Sequence, residues 1–102
     1  MASKKKYSLT VSLKAEKELL NSFDWYEAQQ ENLGNRFLLH VLEKLNKIAE
    51  DPLYYPIKHN FFRETRVVSF PFLIIFRVNE EKKAIRIVSV FHTAQNPTKK
   101  YK

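Results

Sequence analysis

The spacing of hydrophobic positions changes along this chain, and each change marks an element. Tyr7, Leu9 and Val11 alternate with Ser8, Thr10 and Ser12, the period-two pattern of a half-buried strand. From residue 13 to residue 30 the period lengthens. Ala15, Leu19, Leu20, Phe23 and Tyr26, with Trp25, recur at helical steps, while Lys14, Lys17, Glu18 and Asp24 fall mostly on the other side. Ser12 stands where a helix N-cap belongs, its hydroxyl available to the orphan N–H groups of the first turn. Residues 31–35 end this helix, and the chain's only glycine, Gly34, is expected at the left-handed turn position. A second helix follows over residues 35–50, where Phe37, Leu38, Val41, Leu42, Leu45, Ile48 and Ala49 form a helical stripe. Leu42 and Leu45 are expected to face the sheet. Asp51-Pro52 stops the helix, because the residue before proline is pushed out of the helical region.

The densest apolar pattern lies between Arg63 and His92. Val, Ile and Phe dominate there, side chains that fit a pleated surface. Pro71 has no N–H to give a central ladder, so it marks a strand boundary. The pattern predicts three strands, at about 63–69, 72–79 and 84–91, with connections short enough for an antiparallel meander. Residues 53–60 are expected to form a loop. The order is then strand, helix, helix, three strands. This is an α+β fold: an N-terminal strand, an antiparallel helical hairpin and a three-stranded antiparallel meander, with the helices packed on one face of the sheet.

Composition narrows the picture further. A chain of 102 residues, 44% hydrophobic, reads as one domain, with a basic arm at 1–6 and a loosely held basic tail at 93–102. With no cysteine there is no disulfide and no thiolate chemistry, which suits the cytoplasm. No apolar run approaches the roughly 20 residues that span a bilayer, so no membrane association is expected. The formal net charge of +7 predicts attraction to polyanions such as nucleic acid, the ribosome or an acidic protein. His40, His59 and His92 are far apart, with no paired spacing, so neither a metal site nor a cofactor is called for. The absence of a Gly-rich phosphate loop argues against a nucleotide-binding enzyme.

Several of these pieces occur together in one family. The strand running into residues 12–19, Trp25-Tyr26, residues 33–37, Asp51-Pro52, Arg66, residues 70–78 and Val90-Phe91-His92 follow in an order and spacing that resembles the RelE/ParE superfamily of bacterial toxins from type II toxin–antitoxin modules. The resemblance runs from Leu9 to Pro97. It implies a toxin of plasmid-stabilisation type, neutralised by a cognate antitoxin whose carboxylates would meet Arg63, Arg66, Arg77 or Arg86. A homodimer and a toxin–antitoxin hetero-oligomer are both compatible with it.

The resemblance also frames the choice of activity. Members that cleave messenger RNA on the ribosome do so without a metal, using cations to stabilise the phosphorane and an acid–base group to move protons. Where such members carry arginines, early in the third strand and beyond the last, this chain has Leu73 and Thr93. Arg66 and His92 alone keep suitable catalytic chemistry, with Tyr101 as a candidate tail tyrosine. The chain therefore resembles more closely the ParE branch, whose characterised members inhibit DNA gyrase. The alternatives are a ribosome-dependent endoribonuclease and a degenerate, non-toxic binding protein.

Overall fold

Ser12 is the joint at which the first strand becomes the first helix. Its N–H donates to Ile87 O at 2.9 Å, its Oγ donates to Val88 O at 2.9 Å, and the same oxygen accepts from the Ala15 N–H at 3.0 Å. One short polar side chain thus caps helix α1 (Leu13–Gln29) and ties strand β1 (Ser8–Val11) to the sheet. The computed structural model describes residues 7–101; the basic arm expected at 1–6 lies outside the described residues.

Helix α2 (Leu33–Glu50) returns antiparallel to α1, and a 3₁₀ turn (Pro52–Tyr54) leads into strands β2 (Ile57–His59), β3 (Phe62–Arg66), β4 (Phe72–Asn79) and β5 (Ala84–His92). The sheet order is β1-β5-β4-β3-β2. Strands β2 to β5 form an antiparallel meander, and β1 pairs parallel with β5 from Ser8↔Ala84 to Val11↔Ile87. The strand–hairpin–meander order is therefore as the hydrophobic pattern predicts, with one addition. Residues 57–59, expected in a loop, pair with β3 as a short edge strand, too brief and too exposed to show an alternation of its own.

The core lies between the hairpin and one face of the sheet. Ala15, Phe37, Val41 and Ile48 meet Ile74, Phe76, Ile85 and Ile87, none more than 1% exposed. An aromatic cluster closes one end, with Phe37 and Phe72 ring centres 4.8 Å apart and Tyr26 and Phe70 5.1 Å apart. Helix phase differs from expectation at one position: Leu42 is 47% exposed, and Leu45 is only partly buried against the core. The apolar residues of α2 cover more of its circumference than the sheet can. The inward line runs through Phe37, Val41 and Ile48, and Leu42 sits about 100° around from Val41.

Gly34 also differs from expectation. It lies inside α2 with ordinary φ, and the left-handed residue before the helix is Asn32, at φ 70°. Glycine is required for space instead. A Cβ there would stand 2.7 Å from Phe23 O and 2.9 Å from Glu27 Cγ, so the close approach of the two helices leaves no room for one. Glu27 uses that approach to cap α2, its Oε1 accepting from the Gly34 N–H at 2.8 Å.

Candidate functional site

The register divides the site residues between two faces. Phe72 pairs with His92, and Phe72 belongs to the core, so His92 points to the helix side of the sheet. One step on, Arg66 pairs with Leu73 and Leu73 with Phe91; these three point the other way, because successive strand residues alternate faces. Arg66 and His92 are also separated by the whole of β4. The two residues expected to share catalysis are not brought together.

On the outer face the organising residue is Glu64 of β3, only 7% exposed. It pairs with Ile75, which is fully buried although the helices cover the opposite face. The cover at Glu64 comes from the C-terminal segment. A 3₁₀ turn (Pro97–Lys99), capped by the Asn96 side chain, carries Lys100 and Tyr101 back over the sheet. Lys100 Nζ lies 3.1 Å from Glu64 Oε2, and the Tyr101 hydroxyl donates to the same carboxylate oxygen. The Tyr101 ring stacks on His59, at 4.4 Å between centres, and on Phe62, at 5.0 Å. Lys14 Nζ, from the first turn of α1, donates to Lys99 O at 3.0 Å. The segment expected to be loosely held is fastened at three points, by partners far away in sequence. Burial, then the hydrogen bond to Glu64 and its charge, push the Tyr101 phenol up to about 12. The hydroxyl is therefore a bound donor, not a ready base.

On the helix side, His92 lines a half-open cleft of about 320 Å³ with Asn21, Ser22, Trp25, Tyr26 and Phe72. Its Nδ1 accepts from the Ala94 N–H at 3.0 Å, which sets the neutral ring with its proton on Nε2, and its ring stands edge-on to Phe72 at 4.9 Å. Burial raises the Tyr26 phenol. Trp25, which recurs with the apolar residues of α1, is 60% exposed. Among the described residues no arginine or lysine lines this cleft, so these supply a donor and aromatic walls but no cation for a phosphate.

Of the arginines expected to meet an antitoxin, Arg63 pairs with Phe76 and so faces the helix side. Its Nη1 donates to Tyr55 O at 2.6 Å, fastening the 3₁₀ turn to β3. Arg66, Arg77 and Arg86 are exposed on the outer face. Arg77 lies 4.3 Å from the centre of the Phe61 ring, and Arg86 Nη1 donates to Thr10 Oγ1 at 3.2 Å. Reasoning from sequence missed Glu64 as the centre of the outer face. The available signal was a lone carboxylate between Arg63 and Arg66 in a strand of a basic chain.

Comparison with known proteins agrees with this architecture. The family described as ParE toxin of type II toxin-antitoxin system, parDE, matches residues 9–97. No curated protein matches the sequence significantly. Among solved structures, a chain of the chromosomal ParDE toxin–antitoxin system from P. aeruginosa superposes with TM-score 0.74 at 20% identity, covering 85% of this chain and 96% of that one. A chain of the RelBE2 toxin–antitoxin complex from Mycobacterium tuberculosis gives 0.64 at 18% identity, covering 86% and 99%. A mutant E. coli toxin RelE in the free state gives 0.65 at 18% identity, covering 88% and 86%. These likenesses share the fold, and the family match spans nearly the whole of it. The chain belongs to the ParE toxin family of type II toxin–antitoxin systems.

Proposed function

We propose that this chain is a ParE-like toxin that acts without cutting RNA, with DNA gyrase as its target, and that a cognate antitoxin neutralises it. The observation that carries the non-nucleolytic reading is the occupancy of the outer face by Glu64. Cleavage at a 2′-hydroxyl needs preorganised donors where negative charge develops, and loss of one such donor costs about a hundredfold or more in rate. Here the cation Arg66 has Leu73 as its neighbour on β4, and the adjacent outward position of β3 is a carboxylate that already holds Lys100 and Tyr101. His92, the one acid–base candidate, faces the opposite side of the sheet.

The antitoxin reading draws support from two sources. The ParDE and RelBE2 relatives are toxin–antitoxin systems. The helical hairpin of this chain also leaves Leu13, Leu20, Leu39 and Leu42 between 47% and 64% exposed. An amphipathic antitoxin helix could seat its apolar anchors there, while a separate acidic antitoxin segment crossing the outer face would place carboxylates on Arg66, Arg77 or Arg86. The test is induction of this chain with and without the product of the adjacent reading frame, beside a plasmid-supercoiling assay with purified gyrase. Growth arrest relieved by a co-purifying neighbour, and supercoiling inhibited by the toxin alone, are expected. A toxin that arrests growth yet leaves gyrase untouched would remove the gyrase reading.

A further inference from the structure

One row of side chains crosses all five strands on the outer face. The register places Thr10 beside Arg86, Arg86 opposite Arg77, and Phe62 opposite His59. The pairing Arg63↔Phe76, continued by one residue, sets Phe62 beside Arg77 and closes the row. Four interstrand steps of about 4.8 Å make it roughly 19 Å long. Its arginines lie at the opposite end of the sheet from Arg66 and Leu73; at the other edge Tyr101 already stacks on His59 and Phe62, which leaves Arg86, Arg77 and Phe61 as the open part.

Two features of this row call for a ligand. Arg77 and Arg86 are directly opposed like charges, an arrangement that destabilises a sheet unless something negative lies against it. The ion pairs among the described residues are His40–Glu43 and Lys100–Glu64, so neither arginine has a carboxylate partner there. Both line an open recess with Thr10 and Asn79; Glu80 lies at the same recess but beyond pairing distance. The second feature is aromatic. Arg77 stacks on Phe61, which is 54% exposed, and its guanidinium also approaches Phe62 at 6.0 Å. A stacked guanidinium keeps its N–H groups free at the edge, where a phosphate accepts them. The unstacked side of Phe61 offers a surface to a base.

We propose that the row Thr10–Arg86–Arg77–Phe61/Phe62 is a docking surface for single-stranded nucleic acid, with phosphates on the arginine pair and a base on Phe61. An arginine pair flanked by an exposed aromatic face suits a single strand, whose bases are free to stack; a duplex keeps its base faces stacked on one another. An acidic protein segment would satisfy the arginines and leave Phe61 without a role. The surface is independent of the gyrase reading, since it concerns binding by this chain itself. A neutralising antitoxin that placed carboxylates on the same arginines would compete with it.

The test is fluorescence anisotropy of a labelled twelve-nucleotide (~12) mixed-sequence DNA, and of the same sequence in RNA, with the purified full-length chain over a salt series. Removing two phosphate contacts should lower the single-strand salt slope by about 1.4. Arg77→Ala with Arg86→Ala should therefore lower that slope and weaken binding about tenfold or more at low salt. Phe61→Ala should weaken binding about fivefold or more with the slope unchanged. Lys44→Ala with Lys47→Ala, on the far helix, removes the same charge and should leave both quantities close to those of the parent chain. Thermal melts of each variant check the fold. Binding of either oligonucleotide in this pattern supports the proposal, and the DNA and RNA arms identify the strand. Equal losses from the arginine and lysine pairs would overturn it. So would an unaffected Phe61→Ala variant, or an equally charged oligoglutamate that binds as tightly through the same arginines.

Discussion

Replacing Glu64 by alanine should detach the C-terminal segment while leaving most of the fold's stability in place. The opposing contributions can be read from the structure. A hydrogen bond from the Tyr101 hydroxyl to a carboxylate contributes about 1.5–3 kcal/mol. The Lys100 side chain is 22% exposed, so its pair with Glu64 adds about 0.5–1 kcal/mol. Stacking of Tyr101 on His59 and Phe62 adds about 0.5–1.5 kcal/mol, and it goes when the tail leaves. Against these stands relief of the desolvation of a carboxylate only 7% exposed, which offsets much of the sum. Lys100 and Tyr101 sit at the end of the described chain and can turn to water, so neither is left buried without a partner. The expected loss in urea unfolding is about 1–2 kcal/mol, toward the low end of the range for one charged hydrogen bond. The larger effect is local. Trypsin should cut after Lys99 and Lys100 much faster in the variant, and amide exchange from Thr98 to Tyr101 should lose its protection. Tyr101→Phe should act in the same direction, more weakly. Unchanged tail protection in Glu64→Ala would refute this account of the outer face, as would a global loss above about 4 kcal/mol, a size reserved for core disruption.

Further expectations concern the core, the hairpin and the tail tyrosine. Ile48→Ala should cost about 2–5 kcal/mol in denaturant unfolding, while Leu42→Ala, at an exposed position, should cost about 1 kcal/mol or less; equal costs would mean that α2 is rotated from the phase described. Gly34→Ala should destabilise by about 1–3 kcal/mol despite alanine's better helix propensity, because the new Cβ must push Phe23 O and Glu27 aside; a stabilised variant would show that the hairpin can open without loss. The Tyr101 phenol is held at about 12, above its ordinary 10.0, so the folded chain keeps that proton longer than the unfolded one. Its contribution is therefore complete below pH 10 and lost as pH rises through about 12. Phenolate absorbance should show a late-titrating component that shrinks by one tyrosine in Tyr101→Phe, Tyr26 and Tyr55 staying raised by burial; an unchanged titration in that variant would assign the component at about 12 to another tyrosine.

Local pattern carried most of the fold. Period-two and helical spacings marked β1, both helices, β4 and β5, and the N-cap at Ser12 and the stop at Asp51-Pro52 stand where side-chain chemistry puts them. What escaped depends on tertiary placement. The wide apolar stripe of α2 does not reveal which line meets the sheet, since Val41 and the exposed Leu42 are equally apolar neighbours in it. Gly34 invited a turn reading because the usual reason for glycine is backbone freedom, whereas here it is the neighbouring helix. Tyr101 and Glu64 are 37 residues apart, and no local signal links them. The arginine–aromatic row is assembled from five strands, and it depends on a register that slips opposite Ile75 and Phe76, where β5 carries Val88 as an extra residue. The opposite faces of Arg66 and His92 follow from the pairings Arg66↔Leu73 and Phe72↔His92, which no local pattern reveals.

The most direct test of the non-nucleolytic reading is primer extension on a reporter message from translating ribosomes, with and without this chain, beside its Arg66→Ala and His92→Ala variants. The account predicts a message without new ends and no difference among the three proteins, because the sheet separates the cation from the acid–base group and Glu64 holds the outer face. Codon-positioned cuts that vanish in either variant would contradict it and place the chain among the cleaving toxins.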